Sequence, residues 1–132
     1  MDKFGFTLLE VMVVIIIIGI LATIGLVNYT GTKEHALGKE AQANLKLIAA
    51  AEKIYRLETT DYYLSTDMAA INANLKLAFP TANYNWNYAI TGTTGVTDAF
   101  TATASRAGAA TDCVYKITNA LDDPIVDTGT CP

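Results

Sequence analysis

Gly5 to Tyr29 reads GFTLLEVMVVIIIIGILATIGLVNY, and from Val11 to Val27 it carries no charged residue. Such a run reaches the lower bound of about 17 apolar residues that a membrane-spanning helix needs. The isoleucines Ile15 to Ile18 are β-branched and slightly disfavoured in a helix exposed to water. In lipid every backbone N–H and C=O must be satisfied within the segment, so the helix prevails. Glu10 departs from a plain anchor, because a carboxylate costs on the order of 2.5 to 3.5 kcal/mol at mid-bilayer and less near the interface. It needs either an interfacial position or a functional reason, and the physics leaves both open.

Gly5-Phe6-Thr7-Leu8-Leu9-Glu10 followed by an apolar run resembles the N-terminal signature of type IV prepilins and of the pseudopilins of type II secretion. The resemblance covers about the first 25 residues. It implies that a prepilin peptidase cuts between Gly5 and Phe6 and that the new Phe6 amine is methylated, Met1 to Gly5 being leader. It also implies that Glu10 pairs with the Phe6 amine of a neighbouring subunit, since neither charge is tolerated alone when buried. The proline usual in the family is replaced by Val27. Gly19 and Gly25 are then the weak points of the span, each costing about 1 kcal/mol relative to alanine. A secretory signal peptide shares the short basic start and apolar core, but an acid at the edge of the core and the poor cleavage site Ala22-Thr23-Ile24-Gly25 argue against it.

The chain of 132 residues has a one-domain length, and the residues beyond the apolar run suffice for one modest core. A formal net charge of −4, from 9 Lys and Arg against 13 Asp and Glu, predicts no nucleic-acid partner. The hydrophobic content of 52% and mean hydropathy of +0.29 owe much to the first span. The expected organisation is a leader over 1–5, a transmembrane or filament-core helix over 6–27, and a globular head over 28–132.

Within the head, Leu37, Ala41, Leu45, Ile48, Ala51 and Tyr55 recur at three- and four-residue steps, and Ala43, Leu47, Ala50, Ile54 and Leu57 widen that face. Gln42, Lys46, Lys53 and Arg56 lie opposite, with Glu52 and Arg56 at the spacing of a surface ion pair. The pattern predicts one helix from Phe6 to about Leu57, roughly 80 Å long. An apolar arc this wide suits cover by a sheet on one side and by neighbouring helices on the other.

Thr59-Thr60-Asp61 ends that helix, and 58–83 is a connecting region in which Ser65-Thr66 caps a short helix over Asp67 to Leu75. After Pro80 the period becomes two. Tyr84, Trp86, Tyr88 and Ile90 define one strand and Thr91 to Gly95 a turn; strands over Thr97 to Ser105 and Cys113 to Thr118 complete a sheet over 84–118. Phe100, Ala102, Ala104, Cys113, Tyr115 and Ile117 are its expected inward residues. The fold class is α+β: a long N-terminal helix packed on a small antiparallel sheet, the αβ-roll that resemblance to pilins implies. The aromatic ladder is expected to be core rather than a sugar-binding strip.

Cys113 and Cys131 are the only cysteines. Behind a membrane segment, in an export context, the pair reads as a disulfide closing a loop over 113–131, since two thiols without nearby histidine fall short of a zinc site. Asp112, Asp122, Asp123 and Asp127 surround that loop, but their spacing matches no EF-hand, so solvated carboxylates are expected rather than a calcium site. His35 is the only histidine, without a thiol or second imidazole near it in sequence. There is no nucleophile, base and orienting group in a recognisable set, so neither catalysis nor a cofactor is expected.

The resemblance implies a structural subunit of a type IV pilus-like filament. It would be a homo-oligomer handled by the peptidase and pilus assembly machinery, in the inner membrane as precursor and at the cell surface when assembled. A type II secretion pseudopilin is the near alternative, and the C-terminal cysteine pair favours the pilin. A membrane-anchored binding or adhesion module that never polymerises is the alternative of another class.

Overall fold

The computed structural model describes residues 5–93, 99–107 and 113–131, apart from the side chains of residues 25–28. Its elements are α1 (Leu8–Thr59), α2 (Met68–Leu75), β1 (Trp86–Thr93), β2 (Ala99–Arg106), β3 (Val114–Thr118) and β4 (Ile125–Thr128). The chain divides into two units, Met1–His35 and Ala36–Pro132, and α1 contributes to both. On the described residues no single helix is long and apolar enough to cross a membrane; Leu8–Ile24 and Tyr29–Thr59 meet that requirement of length and composition only together.

The second unit is built on a four-stranded antiparallel sheet in the order β1-β2-β3-β4. Strand side chains alternate between faces, so Trp86, Tyr88 and Ile90 of β1, Phe100, Ala102 and Ala104 of β2, and Tyr115 and Ile117 of β3 point into one core. The inner strand β2 carries alanines at two of its buried positions, Ala102 and Ala104, and α1 contributes Ala41, Leu45, Ile48 and Ala49 to the same core. Two hydrogen bonds fix helix to sheet. The Trp86 indole N–H donates to the Leu37 carbonyl at 2.9 Å, and the Asn44 amide donates to the Tyr88 hydroxyl at 2.8 Å. Trp86 packs on Tyr115 and Phe79 stacks on Tyr88, with ring centroids 5.7 and 5.0 Å apart, so the aromatic ladder is core. Tyr84 precedes β1, which begins at Trp86 after Asn83 turns the backbone with φ 53°, and packs half-buried against the same core.

The short helix starts one step later than expected. Asp67 is the N-cap of α2, accepting from the Ala69 N–H at 3.1 Å, while the backbone of Ser65 pairs in both directions with Ile90 of β1. Met68, Ile71 and Leu75 are buried, and Lys76 ends the helix in the left-handed conformation. The hairpin expected over Thr91 to Gly95 is corrected as well: Thr91 to Thr93 belong to β1, and residues 94–98 lie outside the described ones. At Gly92, opposite Phe100, an added Cβ would fall 2.0 Å from the Ala99 carbonyl oxygen, so only glycine allows the strands this approach.

Cys113 and Cys131 form the expected disulfide, with Cα atoms 5.0 Å apart and a sequence separation of 18. The loop it closes contains an element that sequence reading missed. β4 pairs with β3 through Val114↔Thr128, Tyr115↔Val126 and Lys116↔Ile125, with an irregularity between Val114 and Tyr115. Two of the loop aspartates are not merely solvated. Asp123 pairs with Lys46 of α1, and Asp127 pairs with Lys116 of β3. Asp112 lies outside the described residues, among which no acidic, histidine or cysteine group is arranged to hold a metal ion.

Candidate assembly site

The residues that the resemblance singles out lie at the start of α1, in the first unit. Thr7 precedes the first helical residue and forms a capping box with Glu10. The Thr7 backbone N–H and hydroxyl donate to Glu10 Oε2 at 2.9 and 2.8 Å, and the Glu10 N–H donates back to Thr7 Oγ1 at 3.3 Å. Thr-x-x-Glu before an apolar run is a helix-start signature, and that signal stood in the sequence unread. Both bonds received by the carboxylate fall on Oε2, and Glu10 is exposed, so its acid is ordered by its own chain while open to a second partner.

Beyond Glu10 the helix carries its apolar side chains in the open. Every described residue from Gly5 to Ile24 is exposed; among the large apolar side chains exposure runs from 46% at Val13 and Val14 to 80% at Phe6. An isolated soluble protein does not leave a surface of this size uncovered. Thr23, the only polar side chain between Val11 and Ile24, donates its hydroxyl to the Ile20 carbonyl at 2.7 Å, so nothing polar in this stretch needs water. A Cβ added at Gly19 would meet nothing within 4 Å. The surroundings of Gly25 and Val27 lie outside the described residues.

In the second unit, α1 keeps an outward apolar row. Leu47, Ala50, Ile54 and Leu57 are exposed, as the wide arc predicted. Beside them runs an apolar groove of about 430 Å³ closed by Leu75 and Leu77 at the end of α2. The expected polar side needs one correction. Glu52, placed by its spacing in a surface pair with Arg56, is 0% exposed and lies on the buried arc. Its Oε2 accepts from the Tyr63 N–H at 2.9 Å, and its Oε1 has no hydrogen-bond partner among the described residues. Burial pushes its carboxyl up to about 7, opposed by the Tyr63 bond. His35 is exposed.

Residues 1–26 match the family model described as the prokaryotic N-terminal methylation motif. The type II secretion system core protein G of Aeromonas hydrophila is 45% identical to the chain over 58 residues, 44% of this chain and 41% of that protein. The corresponding protein of Escherichia coli is 43% identical over the same length, 40% of its own. The type IV major pilin protein PilA of Myxococcus xanthus is 41% identical over 58 residues, 26% of its length. The chain thus spans less than half the length of these curated relatives. No solved structure matches it. With a long N-terminal helix, a small antiparallel sheet and a C-terminal disulfide, the fold is consistent with that of a pilin. The chain carries the N-terminal methylation motif of prepilin-type proteins, and its relatives are type II secretion pseudopilins and a type IV pilin.

Proposed function

We propose that this chain is a structural subunit of a pilin-type filament, and more closely of a type IV pilus. Residues 1–5 are its leader, 6–27 its membrane and filament-core helix, and 28–132 its head. The observation that carries this reading is the uninterrupted exposure of the apolar side chains from Phe6 to Ile24. The subunit waits in the inner membrane, loses its leader between Gly5 and Phe6, is methylated at Phe6, and is then drawn into a filament at the cell surface.

Lipid tails are as apolar as isoleucine, so exchanging lipid for other copies gains little from hydrophobicity and depends on packing and polar pairing. An unpaired buried charge costs about 3 to 5 kcal/mol, so a Glu10 carboxylate meeting a neighbour's Phe6 amine selects one register among many. The capping box supports this role by holding the carboxylate in place before the neighbour arrives. The outward row Leu47, Ala50, Ile54 and Leu57 offers the same copies a second contact.

Glu10→Leu separates pairing from insertion. The variant is expected to enter the membrane and to be cut and methylated, as mass spectrometry of its N-terminus would report. Sheared surface material should lose at least tenfold in filaments by electron microscopy, a modest outcome for a pairing of this strength. Wild-type filament amounts from Glu10→Leu refute the pairing, whereas wild-type cells without any filament refute the function. The pseudopilin reading is favoured by the two relatives named core protein G, and short filaments seen only on overexpression would select it.

A further inference from the structure

Among the described residues, Glu52 is the one charged side chain buried completely. It sits on the core-facing arc of α1 between Ile48 and the end of the helix, where the chain reverses direction. The reversal is tightly built. Thr60, with φ 74°, donates its N–H to the Arg56 carbonyl at 2.8 Å, and Tyr63 returns its N–H to Glu52 Oε2 at 2.9 Å. The Tyr62 ring packs against Phe100 of the sheet at 4.8 Å, and Tyr63 meets Tyr55 of α1 at 5.6 Å. One acid thus reaches across 11 residues to hold the returning strand of chain against the helix. Its second oxygen, Oε1, is buried with no hydrogen-bond partner among the described residues.

We propose that Glu52 is a proton-operated latch on the turn Thr59 to Tyr63, closed while its carboxyl is neutral and loosened when the carboxyl ionises. A neutral carboxyl tolerates an unmatched oxygen in an apolar interior far better than a carboxylate does. The ionised form strengthens the single bond from Tyr63 but leaves a charged oxygen without a donor, and the cheapest remedy is to let water in. A recess of about 480 Å³, lined by Lys53, Arg56, Leu57, Thr60 and Tyr62, borders the same turn, so water has a short approach once the turn lifts.

Among the described residues, the groups around the acid do not neutralise it. On its own helix Arg56 is engaged with Tyr62, its Nη1 donating to the hydroxyl at 3.0 Å and its guanidinium 4.8 Å from the ring centre, and Lys53 and Tyr55 are its other titratable neighbours. The turn brings Asp61, Tyr62 and Tyr63. From α2 the buried residues are Met68, Ile71 and Leu75, all apolar. The sheet presents Phe100 through Tyr62, and its buried tyrosines are tied nearer the other end of the head's helix, Tyr88 to Asn44 and Tyr115 against Trp86.

Burial sets the direction of the pH response. Closed, the carboxyl titrates near 7 because it is buried; released into solvent, it returns to 4.5. Between these values the open form gives up its proton while the closed form keeps it, so closure weakens by up to tenfold per pH unit. Closure is fully favoured below about 4.5 and reaches its weakest level above about 7. An acidic exterior tightens the end of the head's helix, and a neutral to alkaline one loosens it. This inference does not depend on filament assembly.

The test is amide exchange at Tyr63 by NMR, on the full chain in detergent micelles, with the intrinsic base catalysis of exchange divided out. Between pH 5 and pH 8 the wild-type protection factor is expected to fall about a hundredfold, while Glu52→Gln, a neutral mimic, holds the same protection at both. A flat wild-type profile, or an equal fall in Glu52→Gln, overturns the latch. Should Glu52→Gln fail to fold, the ¹³C resonance of the wild-type Glu52 carboxyl decides. A titration midpoint near 7, where the loss of protection levels off, supports the latch, and a midpoint near 4.5 overturns it.

Discussion

The two ends of α1 solve opposite problems with one secondary structure. From Val11 to Ile24 the helix is uncharged and exposed on every side. From Gly38 to Glu52 it buries one arc under its own sheet and leaves the rest outside. A helix that is hydrophobic all round has its solvent or its partners outside the monomer, whereas an amphipathic one has already found a partner. The second half draws on the core it shares with the sheet, through Ala41, Leu45, Ile48 and Ala49.

That contrast breaks most sharply under paired truncations of equal chemistry. Leu45 is 0% exposed in the core, and Leu45→Ala is expected to cost about 3 to 5 kcal/mol through lost transfer energy and the cavity left behind. Leu21, on the exposed half, loses the same atoms in Leu21→Ala and should leave head stability within about 0.5 kcal/mol. Denaturant unfolding of the full chain in detergent micelles reads both. Trp86, the only tryptophan, is buried in the head and reports its unfolding alone. Equal losses would show that the two halves share one cooperative unit and would end the distinction.

Removing the disulfide sharpens the comparison within the head. The pair closes an 18-residue separation around β4, whose four residues are all exposed, Ile125 and Val126 at 44% and 50%. With Cys113→Ser and Cys131→Ser together, the chain-entropy model expects a loss of about 3 kcal/mol in the same unfolding assay. A loss under about 1 kcal/mol would mean that the ladder to β3 and the two loop ion pairs hold the region unaided.

How far the sequence could be read depends on how strongly burial writes a pattern. Trp86, Tyr88, Ile90, Phe100, Ala102, Ala104, Tyr115 and Ile117 were legible as an inward face because a half-buried strand must alternate. Met68, Ile71 and Leu75 were legible for the corresponding helical reason. Ile125 to Thr128 escaped because an exposed edge strand carries no alternation; its place is set by the Cys131 bridge and by Lys116 meeting Asp127. Glu52 escaped because its position, four residues after Ile48, argued for the core while its charge argued for water, and charge was the stronger prior. The capping role of Glu10 was hidden by its expected use between subunits.

The smallest expected effect concerns the contact that joins the β3–β4 turn to α1. Lys46 and Asp123 form an ion pair with side chains 53% and 76% exposed, so each gives up little hydration and neither depends on the other to remain in water. Exposed pairs of this kind contribute about 0.2 to 1 kcal/mol, and Lys46→Ala should fall at the lower end, with the remainder disappearing in high salt. The magnitude bears on the comparison because the pair lies on the outward side of the very helix whose inward side carries Leu45. If Lys46→Ala cost as much as the disulfide, the disulfide loop would be held by docking onto α1 rather than by its covalent closure, and the cysteine double variant should then cost correspondingly less. The exposure of both side chains favours the opposite order, with covalent closure and the ladder to β3 holding the loop and the ion pair contributing a small, salt-sensitive addition.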